Sequence, residues 1–385
     1  MNNMLDSSHY RPTRWALIMM GQWPFEPPGK NRFFKCLTIF LIISMCLPTM
    51  TKFAMSVTDI DIVMECIPIL CVYAAAFIKF FTWVIDDDMK GLLLSIERDW
   101  KNLKVPEHIE LLAEFAERGR KINNFYATLI FGLLGLFLAM PAIPILMDVW
   151  IPLNQSRSRI FLYQTEYFVD QNEYYFLILI HAYITIPVVF VAIVYFDNLF
   201  SIFINHTCGM CNVLRLHLEC VHIAGSFSDN ATSEKRIQIC ADMQTNILQF
   251  VQRLESIYTI PFLLLVGMNM TVITSTGMMI VIKGAEISEL IRFASFNVGT
   301  IFHLFWSSWQ GHALIVESEA VYLSVYQSKW YTLSPKLQRM LLPLMMRSAK
   351  PCQISAGKFY VMSMESFGAA MRMTMSFFTL LLSMR

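Results

Sequence analysis

The feature that most restricts this chain is a set of apolar runs, each about as long as a bilayer's hydrocarbon core is thick. A membrane helix needs about 20 mainly apolar residues. Seven stretches reach that length, roughly 33–53, 62–85, 124–147, 174–204, 258–282, 287–309 and 358–384, of which the sixth is the more polar. The runs are continuous and lack the period-2 alternation of barrel strands. Each is therefore predicted to be a helix, which satisfies its own backbone inside lipid. Pro48, Pro68, Pro141, Pro144, Pro187 and Pro261 lie in or near these runs, where neighbouring helices can absorb kinks. Composition agrees: 56% of residues are hydrophobic and 15% charged, against roughly 45–50% and about 25% in soluble chains. The expected fold is all-α and polytopic, with seven transmembrane helices.

Basic residues set the orientation. With the N-terminus inside, 22 of the 30 Lys and Arg fall in the inner segments 1–35, 86–121, 205–254 and 311–358. Only Lys52, Arg157, Arg159, Lys283 and Arg385 fall outside. The N-terminus is thus expected in the cytosol and the C-terminus in the extracellular medium. The expected organisation is a cytoplasmic segment 1–35, spans one to six over 36–310 with cytoplasmic loops 86–121 and 205–254, a cytoplasmic segment 311–357, and a last helix over 358–385. Asn154 heads a glycosylation sequon in the longest outer loop, 148–173. The polar start of the chain does not read as a cleavable signal peptide. The nine cysteines are not placed as a disulfide framework, since neither longer outer loop holds one. A net charge of +1 implies no nucleic-acid partner. There is no Gly-rich phosphate loop, no Gly-x-Ser-x-Gly, no His-Glu-x-x-His and no credible triad. An enzyme is not expected, nor is a cofactor.

Seven spans first suggest a G-protein-coupled receptor, but the orientation is reversed, and the Asp-Arg-Tyr and Asn-Pro-x-x-Tyr signatures are absent. A transporter would show internal repeats or paired broken helices, and none is visible. No buried acid–base pair of the kind a proton relay uses is evident either. The informative stretch is C-terminal. Trp330, Tyr331, Pro335, Arg339, Pro343, Arg347, Lys350 and Pro351 are followed by Ile354, Gly357 and a terminal run beginning Ser376-Phe377-Phe378-Thr379-Leu380. This pattern resembles the segment before, and within, the last helix of insect odorant receptors. The resemblance implies a heterotetramer with an odorant receptor co-receptor in the plasma membrane of olfactory sensory neurons. It also implies one nonselective cation pore walled by the last helices, and small volatile organic ligands bound within the bundle. A related gustatory receptor, a homomeric channel of the same fold, is the alternative. A transporter or a metabotropic receptor is the reading from another class.

Carried onto this sequence, the family's gate falls on Leu380 and Met384, with Phe377, Ser376 and Met373 further back along the face. The same stripe would also serve as ordinary helix packing. Glu365 and Arg372 share a face of this span, and either pair with other helices or line an aqueous vestibule. The odorant pocket is expected in the outer halves of spans two, three, four and six. The residues at helical spacing there are Cys71, Val72, Ala75 and Ala76; Gly135, Leu136, Ala139, Met140 and Ile143; Phe176, Leu177, Ile180, His181 and Ile184; and Phe293, Phe296, Asn297 and Thr300. His181 and Asn297 either orient a polar ligand group or make ordinary core hydrogen bonds. Gly132 and Gly135 permit close helix approach or leave room for a ligand. Lys79 stands inside span two with no evident partner and is expected to snorkel inward. His206, Cys208, Cys211, His217, Cys220 and His222 are scattered along one helix, which argues against a metal site. The charged amphipathic stretches at 86–121, 210–254 and 316–350 predict a cytoplasmic helical anchor layer.

Overall fold

The apolar runs become long helices that overshoot the bilayer. The computed structural model describes residues 7–85, 88–150, 159–219, 230–284 and 286–383. The first helices are α1 (Arg11–Met19), α2 (Pro28–Met55), α3 (Ile60–Ile85), α4 (Asp88–Asn102), α5 (Pro106–Ala139) and α6 (Ala142–Trp150). Then follow α7 (Tyr175–Glu219), α8 (Asn230–Lys283), α9 (Ile287–Gln327), α10 (Pro335–Ser348) and α11 (Met364–Ser383). Proline in the first turn opens α1, α2, α5 and α10, where its missing N–H costs no intrahelical bond. Among the described residues the only strands are those of one short hairpin, β1 (Ser355–Ala356) with β2 (Tyr360–Val361).

By length and composition, α2, α3, α5, α7 and α8 are apolar enough to cross a membrane. The more polar α9 packs along α7 and α8, and α11 packs on α8 and α9, which completes a bundle of seven. The helices α7, α8 and α9 contain 45, 54 and 41 residues. At ~1.5 Å per residue each runs more than about 60 Å, against ~30 Å of hydrocarbon. Their excess lies at the end that the basic residues assign to the cytosol. There, with α1, α4, α10 and the start of α5, it forms an inner helical layer.

Two kinds of packing result. In the inner layer, Leu92, Ile96, Leu112, Phe203, Leu254, Leu314 and Leu341 share one buried cluster, held by removal of apolar surface from water at about 25 cal/mol per Å². Between lipid tails that force is absent, and close packing and interhelical hydrogen bonds take its place. Centrality differs accordingly. Within their most apolar windows, α7 and α8 bury 50% of residues and α2 only 22%, so α7 and α8 form the axis of the bundle.

Three expected boundaries move. The third span does not continue to 147: α5 stops at Ala139 and a separate α6 begins at Ala142. Pro141 stands at the break, where it lacks a donor for the preceding turn and its ring crowds it. The last helix starts at Met364 rather than 358, because Gly357 and Lys358 take positive φ (63° and 67°) and turn the hairpin. The Ser363 hydroxyl then caps α11 by accepting the Ser366 amide N–H at 3.2 Å. Much of the expected loops 86–121 and 205–254 is helix continuous with the spans. Asn154 and Met384 lie outside the described residues.

The hairpin is pinned on both sides. The Gly357 amide donates to the Thr259 carbonyl at 3.0 Å on α8. On α9, a Cβ added at Gly311 would lie 2.2 Å from the Met362 carbonyl oxygen. That neighbour is backbone and cannot give way. Gly132 and Gly135, by contrast, would meet nothing within 4 Å, so neither mediates a close helix contact. Gly311→Ala is predicted to destabilise the protein by roughly 1–3 kcal/mol and Gly132→Ala not at all, read as thermal midpoints of the detergent-solubilised chain. An unchanged midpoint for Gly311→Ala would contradict this contact.

Candidate functional site

Small residues on facing helices leave space that no side chain fills. A cavity opens between α3, α5, α7, α8 and α9. One wall is Cys71, Val72 and Ala75 on α3, at one-turn spacing. Opposite stand Ser295, Phe296, Gly299 and Thr300 on α9, where a Cβ at Gly299 would touch only the tip of Leu133, at 3.4 Å. The α5 wall climbs from Tyr126 through Ile130, Leu133 and Leu134 to Phe137; Phe190 and Ile193 of α7 and Leu265, Met268, Asn269 and Val272 of α8 close the sides. The lining is mostly aliphatic and aromatic, with a few polar groups at one end, as in small-molecule sites generally.

Those polar groups belong to a buried network. One turn beyond Ala75, Lys79 is 0% exposed and Asp197 on α7 2%. The Lys79 ammonium donates to both Asp197 oxygens, at 2.6 and 2.7 Å, and lies 2.8 Å from Nε2 of His303 on α9. Tyr126 donates its hydroxyl to Asp197 Oδ2 at 2.7 Å. His303 Nδ1 stands 3.0 and 3.2 Å from the two terminal atoms of Asn269. Five helices of the wall are thus tied at one level beneath the apolar chamber. Lys79 does not snorkel, and the expectation that the spans contain no buried acid–base pair is overturned. Lys79 and Asp197 are 118 residues apart in sequence, so no local pattern joins them.

At the opposite end the Phe137 and Phe296 rings approach with centroids 6.2 Å apart. Both also line a smaller space beyond them, with Pro68, Tyr163 and Phe293. Glu65 (6% exposed) closes that space, paired with Lys283 and, at 3.5 Å, with Arg292.

Of the residues singled out from the sequence, Cys71, Val72, Ala75, Phe296 and Thr300 line the main cavity and Phe293 the smaller one. Ala76 is buried against Ile42 and Met45 instead. Gly135, Leu136, Ala139 and Ile143 are exposed, as are Phe176, Leu177, Ile180 and Ile184, and Met140 is buried away from the cavity. Apolar composition does not distinguish a lipid-facing stripe from a pocket wall, and the face expected on α5 sits beside the one that lines the cavity. The stretch chosen on α7 lies nearer its outer end than Phe190 and Ile193 do. His181 joins Ser44 and Tyr167, each at 3.0 Å. Asn297 donates to the Ile273 carbonyl at 3.0 Å and to Thr276 Oγ1 at 2.8 Å. Both are satisfied core groups. The residues missed include Asn269 and His303, which the rarity of polar groups inside apolar runs would have marked. On α11, Ala370 and Thr374 face the bundle, whereas Met373, Ser376, Phe377 and Leu380 are exposed. Glu365 and Arg372 are exposed too and form no ion pair with a described residue. His206 pairs with Asp99 at 3.0 Å, and among the described residues no group of His, Cys, Asp and Glu is arranged to hold a metal.

A seven-helix membrane bundle enclosing an apolar chamber with a polar floor defines a polytopic membrane protein of the receptor type. The profile of the 7tm odorant receptor family matches residues 58–375, and the chain belongs to that family. Odorant receptor 13a of Drosophila melanogaster is 27% identical over 205 residues, 49% of this chain and 48% of that one. Odorant receptor 2a of the same fly is 34% identical over 93 residues, 24% of this chain and 23% of that one. The chain thus spans about half, or less, of the length of the curated relatives it matches. In fold, it superposes on the insect olfactory receptor OR5 from Machilis hrabei in complex with eugenol, with a TM-score of 0.81, 14% identity and 97% of each chain covered.

Lys79→Met alone strands the Asp197 carboxylate and is predicted to cost roughly 3–5 kcal/mol. The pair Lys79→Met with Asp197→Leu removes both charges and should recover most of that loss. Thermal midpoints of the purified chain check this; a single variant as stable as the wild type would contradict the ion pair.

Proposed function

We propose that this chain is the odour-binding subunit of a ligand-gated, nonselective cation channel, assembled with an odorant receptor co-receptor in the plasma membrane of olfactory sensory neurons. The observation that carries the reading is the cavity between five helices, with its mostly apolar wall, in a chain of this family. Burial of apolar surface is nondirectional and yields about 25 cal/mol per Å², which suits small volatile molecules. The Machilis hrabei receptor of the same fold is in complex with eugenol, a small molecule.

The chamber is linked to the last helix through its own walls. The α9 wall that carries Phe296 and Thr300 continues to Phe305, whose ring meets Phe367 of α11 with centroids 5.7 Å apart. On α8, the Cβ position of Gly277 lies 3.4 Å from the Phe378 ring. A ligand that fits better when α8 and α9 shift would therefore favour a second position of α11. It can do so only by its difference in affinity between the two states. The exposed stripe Met373, Ser376, Phe377 and Leu380 of α11 would face the ion path, with apolar positions closing it by dewetting.

The test is a voltage-clamp panel of volatile compounds on cells expressing this chain with and without the co-receptor. Evoked cation currents are expected with the co-receptor and should persist under G-protein block. Current of equal size from this chain alone would favour a gustatory-type homomer instead. Leu380→Ala is predicted to raise basal leak or alter gating. Wild-type currents in both Leu380→Ala and Phe377→Ala would remove this face of α11 from the ion path.

A further inference from the structure

The smaller space beyond Phe137 and Phe296 has a polar lining unlike that of the chamber. Leu162 and Tyr163, from the segment before α7, lie on one side of it and Pro68 and Ile69 of α3 on another. Most of its polar groups are satisfied within the protein. The Thr276 hydroxyl donates to the Val272 carbonyl at 2.7 Å and accepts from Asn297 at 2.8 Å. The Tyr163 and Tyr73 hydroxyls share one bond at 2.8 Å. Glu65 accepts from Gln164 at 3.2 Å, besides pairing with Lys283 and Arg292.

Arg292 is the exception. Its side chain is 11% exposed, and its Nη2 serves Glu289 at 2.5 Å and Glu65 at 3.5 Å. The guanidinium carbon lies 4.5 Å from the centre of the Phe293 ring. Nε, however, is buried without a hydrogen-bond partner, and no other described residue lining either space has such an atom. A guanidinium stays protonated, so Nε always carries its hydrogen and has no alternative tautomer to offer. A buried N–H without an acceptor is unfavourable, and an oxygen placed beside it removes that penalty.

We propose that the smaller space is a second ligand subsite, in which Arg292 Nε donates to the oxygen of an elongated aliphatic molecule whose tail passes Phe137 and Phe296 into the chamber. Both rings line both spaces, and their turning aside would join the two. The ligand class is a straight-chain ketone or ester. A free carboxylic acid is disfavoured, because its carboxylate would meet Glu65, which lines the same space. This inference rests on the reading of the chamber as a ligand site.

The experiment measures binding of 2-undecanone, n-undecane and cyclohexane to the purified full-length chain. Cyclohexane is compact and reports the chamber alone. In the wild type the ketone should bind roughly tenfold more tightly than n-undecane, as one hydrogen bond to a charged group allows. Arg292→Lys keeps a cation beside Glu65 and Glu289 but removes Nε, so that ratio should fall towards one. Ile69 lines the smaller space and not the chamber. Ile69→Phe should therefore weaken the ketone roughly tenfold while cyclohexane binds as before. A wild-type ketone-to-alkane ratio near one, the result if water satisfies Nε, overturns the inference. So does unchanged ketone binding in Ile69→Phe, which leaves the ion pairs untouched. In either case saturable cyclohexane binding would keep the chamber reading. If no probe binds saturably, that reading fails and the subsite with it.

Discussion

Inside a bilayer the hydrophobic effect does not press one helix against another, and the architecture follows from that constraint. Lipid tails solvate Leu and Phe as well as a neighbouring helix does. The protein answers by extending α7, α8 and α9 beyond the membrane, where water restores the driving force and a shared cluster forms around Phe203, Leu254 and Leu341. Clamped at that end, the helices need not pack tightly along their whole length. The chamber occupies the slack, where Cys71 and Ala75 of α3 stand across a gap from Gly299 of α9. A void of this kind would be costly in a water-driven core. In lipid it persists because its walls are held from below.

The level at which the two regimes meet is marked by Lys79, Asp197 and His303. Two full charges buried there are tolerated because each is paired and hydrogen-bonded. The network joins α3, α7 and α9, and through Tyr126 and Asn269 it reaches α5 and α8. It is thus both a structural knot and the floor of the chamber. A change at the floor bears on helices that also carry α11, through Phe305 with Phe367 and Gly277 beside Phe378. The chamber and the last helix share the same walls.

Much of this architecture was legible in the sequence. Run length and apolarity announce the spans because lipid imposes both, and the clustering of Lys and Arg announces which ends are inside. The amphipathic stretches around 86–121 foretold an inner layer. Side-chain direction was less legible. Cys71, Val72 and Ala75 line the cavity, since small residues on one face of α3 leave space beside it. Leu136 and Ile180 were chosen although they face outward, since leucine and isoleucine suit lipid and pocket alike. The break at Pro141 and the turn at Gly357 and Lys358 were obscured by continuous apolarity. Asp197 was hidden for another reason: a lone carboxylate in an apolar run has meaning only once its cation, far away in sequence, is brought beside it.

The proposed site of the volatile ligand is the chamber between α3, α5 and α9. Ala75→Trp would fill that space from the α3 wall without touching the inner layer. The decisive measurement is saturable binding of the panel compound that evokes the largest current, made on purified wild-type chain and on Ala75→Trp with a matched thermal midpoint. Saturable binding in the wild type and its loss in the filled variant is the result predicted here. Equal binding by both proteins would place the ligand elsewhere and contradict the account.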